Sequence, residues 1–116
     1  AFKMTDAEKQ RYRDVEELAK MIPRSASVAA TESEVPHVSN RLVIYTLRQS
    51  PGPVDYLFIG RTHLDGAHGA LNAAFAATSY GLVARKGDDL FLFKKGPSTA
   101  GTDAAKALLG VPTTGR

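Results

Sequence analysis

Three groups of residues in this sequence carry types that could do chemistry. The first is His63-Leu64-Asp65-Gly66-Ala67-His68, where two imidazoles and a carboxylate fall within one short run. These are the donor types that zinc, iron and manganese take, so His63, Asp65 and His68 form a candidate metal group. The spacing matches no standard hydrolase pattern, and Asp65 has a competing role as the N-cap of the helix that follows. The second group is Pro36-His37-Val38-Ser39-Asn40-Arg41. Here His37 offers a hydrogen-bonding or acid–base imidazole, Ser39 a hydroxyl and Arg41 an anion contact. The same residues would also serve to close a helix end, with Arg41 near the last carbonyls. The third group is Thr31-Glu32 together with Gly60-Arg61-Thr62, each directly after an expected strand. Ligands of open α/β sheets sit outside the carboxyl ends of strands, beside helix N-termini. If these two strands are parallel neighbours, Thr31, Glu32 and Arg61 line one crevice able to hold a sugar or a phosphate. If they are antiparallel, the residues lie at opposite edges. No glycine-rich phosphate loop accompanies them, no catalytic residue is assigned, and no cofactor is implied.

Composition removes several classes of function. The chain has no cysteine, which excludes disulfides, thiolate metal sites, iron–sulfur clusters and thiol catalysis. The net charge is +3, but Lys9, Arg11, Arg13 and Lys20 are interleaved with Glu8, Asp14, Glu16 and Glu17. That is a mixed helix face, not a cationic stripe, so nucleic acid is not an expected partner. The longest stretch free of Asp, Glu, Lys and Arg, Gly66 to Ala84, is rich in Ala and Gly and interrupted by polar residues. A membrane span needs about 20 strongly apolar residues, so none is expected, and no signal peptide is read at the N-terminus. The chain is expected to be soluble as it stands.

These candidate groups must be positioned by elements that the periodicity outlines. Thr5-Asp6-Ala7-Glu8 is a capping box, and Tyr12, Val15, Leu18, Ala19 and Ile22 form an apolar stripe, predicting a helix over 6–22. A strand is predicted over Ala26 to Ala30, then a short helix capped by Thr31 or Ser33 and ending near Asn40. Leu42 to Leu47 is the strongest strand signal, apolar on both faces. Ser50-Pro51-Gly52-Pro53 marks a loop, and Asp55 to Gly60 a buried strand. A helix from Asp65 toward Ser79 follows. Then come two strands, Gly81 to Lys86 and Asp89 to Lys95, around a Gly87-Asp88 turn. Leu90-Phe91-Leu92-Phe93 requires both faces of its strand to be covered. The order α-β-α-β-β-α-β-β implies a layered α/β sandwich whose mixed sheet ends in an antiparallel hairpin. The connection Arg48 to Val54 is short for a parallel crossover, so the second and third strands are read either as antiparallel neighbours or as parallel strands joined by an extended loop. Residues 1–95 are read as a single α/β domain and 96–116 as a flexible C-terminal tail, with no more than a transient helical turn or two over Asp103 to Leu109.

One segment carries a likeness. Ile22-Pro23-Arg24-Ser25-Ala26-Ser27-Val28-Ala29-Ala30 is followed by Val35-Pro36-His37-Val38-Ser39-Asn40-Arg41, Ile44-Tyr45 and Asp55-Tyr56-Leu57-Phe58-Ile59. This resembles a family of uncharacterised, multi-spanning bacterial membrane proteins, which look like glycosyltransferases that use lipid-linked sugar donors. The resemblance runs from about Glu16 to Lys95. It implies a non-catalytic or accessory domain on the extracytoplasmic (periplasmic) side, with spanning segments upstream of Ala1. Its partners would be a sugar- or lipid-linked substrate, or the membrane part of the full-length protein. The alternative is a small stand-alone metal- or ligand-binding protein or enzyme built on His63, Asp65 and His68, for which a cytoplasmic location is equally compatible.

Overall fold

The structure is a computed structural model that describes residues 3–40, 43–49 and 52–112. Helix α1 (Asp6–Ala19) starts at the capping box, where Thr5 Oγ1 accepts from the Glu8 N–H at 3.1 Å and Glu8 Oε1 accepts from the Thr5 N–H at 2.7 Å. It buries Val15, Leu18 and Ala19, whereas Tyr12 of the expected stripe is 52% exposed. The helix ends before residue 22 because the Met21 and Ile22 N–H groups bond Leu18 and Ala19 carbonyls three residues back. That tightened last turn leads to Pro23, which has no N–H to continue it.

Among the described residues five strands follow the helix: β1 (Ser27–Ala30), β2 (Val43–Thr46), β3 (Tyr56–Gly60), β4 (Tyr80–Lys86) and β5 (Leu90–Lys95). Their order in the sheet is β2-β1-β3-β5-β4. β1 is parallel to both β2 and β3, while β5 runs antiparallel to β3 and β4. The sheet is therefore mixed and ends in the expected hairpin, whose turn places Gly87 at φ +55°. β2 and β3 are not neighbours. They flank β1 on opposite sides and point the same way, which settles the ambiguous connection.

Alternation along the strands divides the core into two layers. Val28, Ala30, Tyr56, Phe58, Leu90 and Leu92 pack with α1 and with a 3-10 helix at Glu32–Val38. Ala29, Leu57, Ile59, Phe91 and Phe93 pack on the other side with residues of α2 (His68–Ala77) and α3 (Thr102–Leu108). Both faces of Leu90 to Phe93 are thus covered, as their consecutive apolar residues require. β2 differs from expectation. It is an edge strand, and Val43 and Tyr45 are each 40% exposed. Its Leu42 lies outside the described residues.

The C-terminal segment is also corrected. Instead of a flexible tail, residues 102–108 form α3, and Ala105, Leu109 and Val111 are buried in the core. Its attachment uses outward-facing backbone groups of β4, the edge strand of the sheet. The Leu82 N–H donates to Thr102 Oγ1 at 3.0 Å, and Thr99 Oγ1 donates to the Leu82 carbonyl. Gly81 allows this approach, because a Cβ there would sit 2.3 Å from the Pro97 carbonyl oxygen. Lys106 Nζ lies 5.1 Å from the Phe75 ring centroid, a cation–π contact to α2. If α3 belongs to the core, Leu109→Ala lowers stability by about 2–5 kcal/mol in urea unfolding. A loose tail would leave it within about 0.5 kcal/mol.

Candidate functional site

The carboxyl ends of β1 and β3 meet, because the two strands are parallel neighbours. What gathers there is a buried polar cluster centred on Glu34, whose side chain has 0% exposure. Thr31 Oγ1 accepts the Gly60 N–H at 2.8 Å and donates to Glu34 Oε1. Arg11 Nη2 donates to Glu34 Oε2 at 3.1 Å, and Arg11 Nε donates to Asp89 Oδ2 at 2.7 Å. His63 Nδ1 faces Glu34 Oε2 at 3.5 Å. The arrangement is tight: a Cβ on Gly60 would lie 2.5 Å from Glu34 Oε1. Burial opposes the charge on Arg11, but Asp89 and then Glu34 outweigh it, so the guanidinium pKa is raised above its ordinary value.

Chemically, an imidazole facing a buried carboxylate is the orienting half of an acid–base pair. The cluster's hydroxyl, Thr31 Oγ1, already donates to Glu34 and accepts from Gly60. The cluster therefore acts as a lock joining α1, the ends of β1 and β3, and the β4–β5 turn at Asp89. Sequence reasoning picked Thr31 but missed Glu34, Arg11 and Asp89. Thr31-Glu32-Ser33-Glu34 is itself a Thr-x-x-Glu pattern after a strand, a signal that could have flagged Glu34.

The other anticipated residues are dispersed. Glu32 points outward and accepts from Arg48 Nη1 at 2.8 Å. Arg61 donates from Nε to the Leu108 carbonyl at 3.0 Å, capping the end of α3, so it does not line a crevice with Thr31. His37 Nδ1 donates to Glu16, and the His37 ring meets Tyr12 edge-on at 5.2 Å, tying the 3-10 helix to α1. Ser39 Oγ donates to the Pro36 carbonyl at 3.1 Å. Arg41 lies outside the described residues.

The His63/Asp65/His68 group does not converge. His63 turns to Glu34, while His68 Nε2 donates to the Leu109 carbonyl at 3.0 Å. Asp65 is exposed and caps nothing, because Gly66 at φ +78° inserts a turn and α2 begins only at His68. Among the described residues, no three His, Asp or Glu side chains gather so as to hold a metal ion.

A second feature lies on the opposite face of the sheet. Between α2 and the strands is a cavity of about 170 Å³, floored by the buried Ala29, Leu47, Val54, Leu57 and Tyr80. The Tyr80 hydroxyl donates to the Val54 carbonyl at 2.9 Å and accepts from the Val54 N–H at 3.2 Å, fixing one wall. Comparison of the chain with family models, curated proteins and solved structures gave no match. The likeness described from the sequence thus rests on the residues of its own block.

Two outcomes follow from these contacts. Glu34→Ala strands Arg11 and Thr31 without their acceptor and should cost about 3–5 kcal/mol in urea unfolding, while Gly60→Ala, which pushes the carboxylate aside, costs about 1–3 kcal/mol. In the double variant the two penalties should fall well short of adding, since both act on the same carboxylate. Tyr80 gives a pH dependence. Burial raises its pKa, the charge of Asp55 adds to this, and the Val54 hydrogen bond pulls the other way. The folded state therefore holds the phenolic proton more tightly than the unfolded one. The resulting stability is present below about pH 10 and lost as pH rises beyond it. Urea midpoints of the wild type should fall more steeply across that range than those of Tyr80→Phe.

Proposed function

We propose that the chain is a non-catalytic accessory domain of a multi-spanning bacterial membrane protein. It would stand on the extracytoplasmic (periplasmic) side, beside a membrane core related to glycosyltransferases with lipid-linked sugar donors. One observation carries the non-catalytic part: most of the described polar side chains offered for chemistry make hydrogen bonds inside the fold, although Asp65 and Glu32 are exposed and His63 Nδ1 has no hydrogen-bond partner. His37 holds Glu16, Ser39 holds the Pro36 carbonyl, and Arg61 and His68 hold the last carbonyls of α3. Thr31 and His63 face Glu34. The Pro36 to Ser39 block, which carries the family likeness, then works as a joint between β1, α1 and β2. A domain that supports or covers the reaction of another part needs such joints and no nucleophile of its own. No helix of the described residues is long and apolar enough to cross a membrane, so any spans would come from elsewhere in the protein.

The location is tested on the native gene product, followed with an antibody raised against this chain. It should sediment with membranes, resist carbonate extraction, and be cut by protease added to spheroplasts. Recovery in the soluble fraction would overturn the proposal. The joint is tested by His37→Ala, which should lower the thermal midpoint by about 4 °C, the shift expected for about 1 kcal/mol in a domain of this size. An unchanged midpoint would mean that His37 is not a structural tie.

A further inference from the structure

We infer that the cavity between α2 and the sheet is a binding site for a small, uncharged apolar group, about the size of a benzene ring or one branched five-carbon unit. Its volume, about 170 Å³, is the first reason. A dry apolar cavity of about 150 Å³ is enough to take benzene. The lining is the second. Among the described residues no charged side chain lines it; its polar side chains are Thr78 and Tyr80, and the Tyr80 hydroxyl has already committed both of its hydrogen-bonding directions to Val54. A charged or strongly polar ligand would therefore lose its hydration there without recompense. The third reason is access. The floor is closed, but Gly52, Pro53, Ala73 and Ala77 around the rim are exposed, so the cavity has a mouth between the loop before β3 and the outer side of α2.

The void is also local. Elsewhere in the same layer Phe91 and Phe93 are fully buried, and Phe75 packs edge-on against Phe93 at 5.0 Å. At the cavity, by contrast, α2 contributes only Ala70, Ala73, Ala74 and Ala77. A larger side chain at the half-buried Ala70 or Ala74 would fill the space, and one at Ala73 or Ala77 would narrow the mouth. An occupant that enters through the mouth restores the missing contacts in the same way. This reading does not depend on the membrane proposal, and its test uses the isolated chain alone.

The test is a titration of the ¹⁵N-labelled chain with indole and, separately, with 3-methylbut-2-en-1-ol, followed by amide chemical shifts. Saturable shifts confined to residues around Val54, Ala73 and Ala77 are expected, with a Kd of about 0.1–1 mM for groups of this size. Tighter binding of the branched alcohol would mark an isoprenoid chain as the source, and tighter binding of indole an aromatic compound. Ala74→Leu should fill the cavity, raise the thermal midpoint and weaken binding roughly tenfold or more. If that variant does not fold, Ala77→Leu at the exposed rim applies the same test. No saturable shift up to about 10 mM probe, or shifts scattered over the surface, would overturn the inference. So would an affinity unchanged by the filling substitution.

Discussion

A carboxylate cannot be taken out of water unless the protein replaces the water with donors, and Glu34 is fully buried. An unpaired ion in that place would cost several kcal/mol, so the surrounding structure must be present for the site to exist at all. The donors come from far apart in the sequence. Arg11 belongs to α1 and Thr31 follows β1, while His63, which follows β3, faces the carboxylate at 3.5 Å without a hydrogen bond. Asp89, which holds the other side of Arg11, lies in the turn before β5. Each element is thus placed with respect to one carboxylate. Gly60 completes the arrangement by leaving no Cβ in the way. Apolar residues of similar volume could be equally stabilising there. What the charged cluster adds is discrimination, because a slip of β1 against β3 would separate Thr31 from Gly60 and leave Glu34 short of partners.

Much of this fold was legible because apolar spacing reports which faces are covered. The capping box, the run Leu90 to Phe93 and the Gly87-Asp88 turn each led to an element close to its observed place. Two things were not legible. Burial of β2 was overread, because Val43, Ile44 and Tyr45 look alike in a central and an edge strand, and only the sheet order shows that one side has no neighbour. The segment after Gly96 was underread for a related reason. Its Ala, Gly, Ser and Thr residues have little apolar periodicity, yet Thr99 and Thr102 satisfy outward-facing groups of β4 that no local pattern announces. The same blindness affected the site. Arg61 and His68 drew notice as functional types, but their acceptors are carbonyls at the end of α3, a segment read only as a transient helical turn or two.

A string can also be distinctive for reasons of backbone geometry. Pro36 lies within a 3-10 helix, Ser39 returns a hydrogen bond to the Pro36 carbonyl, and His37 crosses to Glu16 of α1. These three contacts turn the chain from the end of β1 toward β2. Residues needed for such a turn are as restricted in type as residues needed for catalysis, so an unusual motif in this position does not by itself imply a reaction.

The two faces of the sheet divide the demands on the molecule. On the α1 side a buried charge and its partners hold the strands in register, and a change in any one group is felt by the rest. On the α2 side the packing includes a void, bounded by alanines and by a tyrosine whose hydrogen bonds are already spent. A rigid lock tolerates no occupant, whereas a void can gain contacts from one. The proposed apolar site therefore lies on the α2 face, away from nearly all the polar residues that first suggested chemistry.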